Sequence, residues 1–210
     1  MLKKLKRMNR GVLLAVIVLA IFAVYVNIAD DKFKEEEAEK VKDTVIGFCN
    51  ELAEANSIMT KLDGTNDEEI VQELQDALTK VINDNMIQSD YIDNQNIYSL
   101  TAFYETKDSF LEYPQYFDDI NSNNALTEIT PTVKVTSVKQ NGSIGATCVA
   151  DIVYVVKGKG QFGVLFPVYY HHFSDIPTEM TCKMSDVEFQ LVKEDGQWKI
   201  CGINGYLWFV

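Results

Sequence analysis

Residues 158–163, GKGQFG, carry the G-x-G-x-x-G spacing with which a dinucleotide-binding turn approaches a pyrophosphate. That chemistry needs a helix directly afterwards, because the phosphate sits on the helix N-terminus. Gly163 is instead followed by VLFPVYYHHF, whose aromatic and β-branched residues and proline read as strand. The glycines therefore read as a turn between strands, and no nucleotide cofactor is expected. His171 and His172 are the only histidines. Consecutive strand residues point to opposite faces, so the two cannot chelate one ion together. So few histidines also leave little for a Ser-His-Asp or Cys-His arrangement. Ser143, in NGSIG, lacks the first glycine of a nucleophile elbow. DGTNDEE, from Asp63 to Glu69, resembles a calcium loop in composition only: its sixth position is Glu68 and its twelfth is Leu74, where glycine and glutamate belong. No catalytic, cofactor or metal set emerges from these residues.

Cys49, Cys148, Cys182 and Cys201 contain no C-x-x-C pair, so zinc and thioredoxin-type chemistry have no local support. An even count outside the cytoplasm permits two disulfides, and four buried free thiols are equally consistent with the spacing. Asn141-Gly142-Ser143 is formally a glycosylation acceptor, but Asn-Gly is sufficiently explained as a two-residue hairpin turn.

The elements that position these residues begin with an anchor. Residues 1–10 carry five basic side chains and no acid, and residues 11–29 run without a charge. As a helix those nineteen positions span about 28 Å, close to the hydrocarbon thickness of a bilayer. The run is longer than the apolar core of a cleaved signal, and a cut after Ala29 would place Asn27 where a small residue is needed. The expectation is a retained single-pass helix in the lipid bilayer, with the basic amino terminus cytoplasmic and residues 30–210 extracytoplasmic. That outer part holds all thirty-one acids against fourteen of the nineteen basic residues, a net of −17. Such a field repels nucleic acid, so none is expected as a partner.

Past the anchor, Val41, Val45, Phe48, Leu52, Ala55 and Met59 recur in steps of four and three, one stripe of an amphipathic helix within a stalk-and-helix segment 30–62. Thr65 and Glu68 resemble a capping box opening a second helix, with Ile70, Leu74, Leu78 and Val81 on one face. A short third helix broken near Pro114 and a loop at NSNNA follow. From Pro131 onward the sequence turns β-rich: a hairpin around Asn141-Gly142, an aromatic stretch, and a last hairpin around Asp195-Gly196. Val187, Phe189 and Leu191 alternate on one parity while Met180, Cys182 and Met184 take the other, which predicts a bulge at Ser185-Asp186. Helices first and antiparallel strands over 131–210 make an α+β domain.

The final hairpin, VEFQLVKEDGQWKI, resembles the closing hairpin of nuclear transport factor 2-like domains. It is particularly similar to the membrane-proximal version in low-affinity penicillin-binding proteins, and no penicillin-binding activity is expected to carry over from that resemblance. The resemblance implies a cone in which helices pack on a curved antiparallel sheet around a mouth. Bitopic scaffold subunits of conjugation and type IV secretion machines share the plan of one anchor followed by such a domain. Ketosteroid isomerases and polyketide cyclases use the mouth for proton transfer, but no position here matches their catalytic motifs.

Two functional expectations follow. The first is a non-catalytic, membrane-tethered interaction or scaffold domain that self-associates or joins an envelope assembly. Its core would include Phe189, Trp198 and Ile200, and its contact surfaces would be Tyr169–Phe173 and the apolar end Tyr206, Leu207, Trp208 and Phe209. The second is a ligand-binding or enzymatic cone with Tyr104, Asp118, Tyr169 and Asp186 at its mouth. Whether GYLWFV packs into the core or faces a partner is left open by its composition.

Overall fold

The computed structural model describes residues 10–62, 68–87, 125–142, 144–160, 162–168, 170–173 and 179–209. They form two compact units that divide between Glu39 and Lys40. The first consists mainly of helix α1, Arg10–Glu36, long and apolar enough to cross a membrane. Its side chains from Val12 to Ile28 are exposed almost throughout, as a lipid-facing helix requires. Helical hydrogen bonding continues past the apolar run, and the Glu37 amide still donates to the Phe33 carbonyl at 2.9 Å.

Helix α2, Ala38–Ser57, buries its i, i+3, i+4 stripe from Val41 to Ala55, and Met59 is buried in the 3-10 turn Ile58–Leu62 that follows. Helix α3, Glu68–Asn85, buries Leu74, Leu78 and Val81, with Ile70 half-buried. The capping-box residue Thr65 and the segment around Pro114 lie outside the described residues.

Strands β1 (Ala125–Asn141), β2 (Gly145–Lys159), β5 (Glu179–Glu194) and β6 (Gln197–Asn204) form an antiparallel sheet in the order β1-β2-β5-β6. Strand β7, Trp208–Phe209, lies against the first half of β5. Strands β3, Phe162–Leu165, and β4, Tyr170–Phe173, form a separate hairpin. Helices followed by an antiparallel sheet make the fold α+β.

Two details depart from the sequence reading. The first strand starts at Ala125, upstream of Pro131, and runs through the proline. β1 is an edge strand, where a residue without an N–H is tolerated. The β1–β2 hairpin closes at the Asn141–Gly145 pair, so its loop is 142–144 and longer than a two-residue turn. Gly145 cannot carry a side chain there without displacing the Asn141 carbonyl, which is 2.6 Å from the position a Cβ would take. The other turn follows its sequence signal. Glu194 pairs with Gln197, and Asp195 and Gly196 both adopt positive φ (48° and 84°), the geometry of a type I′ turn.

The predicted bulge is present. Ala150 pairs with Val187 and Ile152 with Met184, so Ser185 and Asp186 together oppose Asp151. This extra residue lets Cys182, Met184, Val187, Phe189 and Leu191 all be buried despite their change of parity. The stretch after Gly163 is strand β3, so the glycine-rich segment joins two strands, with Gly160 at φ 76°.

Candidate interaction surface

The helices reach one face of the sheet through the even-numbered residues of β2. Tyr154, wholly buried, donates its hydroxyl to the Cys49 carbonyl of α2 at 3.1 Å. Phe48 meets Phe189 edge-on at 6.4 Å, and Tyr154 meets Phe166 at 5.2 Å. Phe162, Phe166 and Phe173 extend this aromatic layer beneath the β3–β4 hairpin. Phe189, Trp198 and Ile200 are buried, as their alternation predicts.

Asn56, 0% exposed, is the one buried polar side chain among the described residues outside the aromatic and cysteine set. Its amide nitrogen donates to the Leu165 carbonyl at 2.9 Å and to the Leu52 carbonyl at 2.7 Å. Its oxygen accepts the Leu165 amide at 2.9 Å. A side chain of α2 thus acts as a strand partner for β3. Sequence periodicity could not reveal this, because the partner lies 109 residues away.

The four cysteines are free and buried. Burial pushes the Cys148 and Cys182 thiols up to about 12 and Cys201 to about 11. Cys49 is raised by burial and by its neighbour Cys148, and the Tyr154 hydroxyl by burial and by Cys49. None is a nucleophile in this environment. Among the described residues no three His, Cys, Asp or Glu side chains gather as a metal set would require.

Of the residues expected at a mouth, Tyr104, Asp118 and Tyr169 lie outside the described residues. Asp186 is exposed at the bulge with φ 53°, and its amide donates to Asp151 Oδ1 at 3.1 Å. It does not line an interior. Two surface clefts occur elsewhere. One of about 550 Å³ runs between α2 and α3 past Glu51, Lys61, Glu73 and Lys80. Another of about 380 Å³ lies at Asp43, Asp84, Trp198 and Lys199. Two charged pairs at these clefts are engaged with each other, Lys61 with Glu73 at 2.6 Å and Lys80 with Asp84 at 2.5 Å.

The carboxyl end divides between core and surface. Leu207 is buried, whereas Tyr206, Trp208 and Phe209 are 75%, 65% and 41% exposed. Asn204 pairs with Glu188 and Trp208 with Lys183, so residues 205–207 pass alongside the bulge. A Cβ on Gly205 would lie 3.0 Å from Val168 and 3.1 Å from Val187, so the chain passes here because the residue has no side chain. Phe209 turns to the helix side of the sheet, against His171 at 4.4 Å and Phe173 at 5.9 Å. Trp208 takes the opposite face beside Lys183. His171 is half-buried in this contact and Phe173 is buried, so these two residues of the expected contact surface face inward.

No family profile matches the chain, and no curated protein does. The intermembrane space region of chloroplast protein ARC6 is similar in structure at a TM-score of 0.38 and 9% identity, over 80% of this chain and 95% of that one. Similarity at that level does not establish a shared fold.

Proposed function

We propose that the chain is a membrane-tethered, non-catalytic interaction domain of the nuclear transport factor 2-like type on the outer face of a bacterial membrane, serving as a scaffold subunit of an envelope or secretion assembly. One observation carries the reading: the described interior is filled by aromatic and aliphatic side chains, while Tyr206 and Trp208 are exposed at the β7 edge and Phe209 is partly exposed on the other face of that edge. A ligand-binding cone requires the reverse, an apolar cavity with a few convergent polar groups. Exposed aromatics at a sheet edge mark contact surfaces, where large rigid rings supply much of the binding energy. The basic residues before α1 and the acids after it favour a cytoplasmic amino terminus and an outer position for residues 30–210.

Chemical crosslinking of the full-length protein in its native membrane, followed by identification of the adducts, tests the reading. The expected result is a reproducible set of envelope or secretion proteins, or this chain with itself. Recovery of the uncrosslinked protein alone would direct the search to a small ligand instead.

A further inference from the structure

The sheet has a second face, and among the described residues the helix contacts given above all lie on the other one. Thr132 on β1 pairs with Val153 on β2, Val153 with Lys183 on β5, and Lys183 with Trp208 on β7. These four side chains therefore form one row across four strands of the open face. Thr132, Lys183 and Trp208 are exposed, and Val153 and Val155 are half-buried between them.

Charge distinguishes the sheet from the helices packed on it. Among the described residues, those from 125 to 209 hold seven acids and seven lysines, while 40–62 and 68–85 hold eight acids and four lysines. On the open face Lys157 also bridges Glu128 at 2.9 Å and Glu179 at 3.8 Å across the strands. Two copies therefore repel less through the near-neutral sheet than through the acidic helices.

We propose that a second copy of this chain docks on the open face of the β1-β2-β5-β7 sheet, with Trp208 as the anchoring side chain. This rests on the interaction-domain reading and names its partner. The face presents both signs, Lys134 and Lys183 beside Asp151 and Glu188. A two-fold axis, which brings the same patch together from both copies, can place lysines opposite acids. The available area suffices. Three strands at about 4.8 Å with an overlap of about 12 residues at about 3.3 Å, and the two residues of β7 beside them, give roughly 600 Å² per copy, at the lower bound of about 1,200 Å² in total for a specific interface. Confinement of both anchors in one bilayer raises the effective concentration further.

The test is the mass of the full-length protein by light scattering in detergent and in lipid nanodiscs, combined with lysine crosslinking. The expected result is a dimer with intermolecular crosslinks from Lys134 and Lys183. Thr132→Glu and Trp208→Glu, both at exposed positions, should each weaken association at least about tenfold while leaving the unfolding midpoint in place. A monomer at every concentration in both media overturns the proposal. So does a dimer indifferent to both substitutions, which would put the interface elsewhere, such as the membrane helix. A monomer whose Trp208 edge is instead occupied by a different protein, a basic one or an added strand, defeats this inference and leaves the interaction-domain reading standing.

Discussion

Asn56 replaces a strand in the β3 ladder, and its removal leaves the Leu165 amide and carbonyl without their partner in a dry interior. Each orphaned buried group costs about 1–3 kcal/mol, so Asn56→Leu should lose roughly 2–5 kcal/mol despite its apolar character. Denaturant unfolding at constant slope would measure this; an unchanged midpoint would mean that the hairpin does not depend on α2. The thiols give a pH signature. Burial raises Cys148 and Cys182 to about 12 in the folded state, above the ordinary thiol. A group raised on folding contributes its stability fully below its unfolded value and loses it as pH climbs toward the folded one. Stability should therefore fall progressively between about pH 9 and 12. At pH 8 only about one thiol in ten thousand is ionised at such a site. Iodoacetamide should accordingly spare all four cysteines until the protein is unfolded, and rapid native labelling would contradict their burial.

At the scale of elements, the bulge and the last hairpin determine which side chains reach the core. Asp186 holds φ 53° at the bulge, a conformation that a β-branched residue resists. Asp186→Val should cost about 1–2 kcal/mol, whereas Asp186→Gly should cost nothing, a difference readable from thermal unfolding of the pair. Trp198 is buried near the Asp195-Gly196 turn, with the Lys193 ammonium 5.6 Å from its ring centre. Trp198→Ala should cost roughly 3–5 kcal/mol, and unchanged unfolding would mean that the closing hairpin is not part of the cooperative core. These elements were legible because their signals are local. Val41 to Met59 repeat at the helical period, Asp195-Gly196 demands positive φ, and the parity change at Met184–Val187 announces the extra residue. Pro131 misled at the start of β1 because a proline that ends a central strand is harmless on an edge. GYLWFV was undecidable because core and interface draw on the same aromatic residues. Only the three-dimensional path past Gly205 separates buried Leu207 from exposed Trp208.

The whole molecule combines an apolar helix able to span a bilayer, an acidic helical layer, and a near-neutral sheet with exposed aromatics at one edge. The helix predicts that the protein remains with membranes after alkaline carbonate extraction and is released by detergent; release by carbonate alone would remove the anchor from the account. The mouth residues Tyr104, Asp118 and Tyr169 lie outside the described residues, and the interaction reading is carried by the aromatic edge. The most direct measurement is site-specific photo-crosslinking in the native membrane, with the photoreactive residue placed at Tyr206 in one variant and at Asp76, exposed on α3, in another. The account predicts a discrete protein adduct from position 206 and none from position 76. No adduct at 206, or equal labelling from both positions, would contradict it.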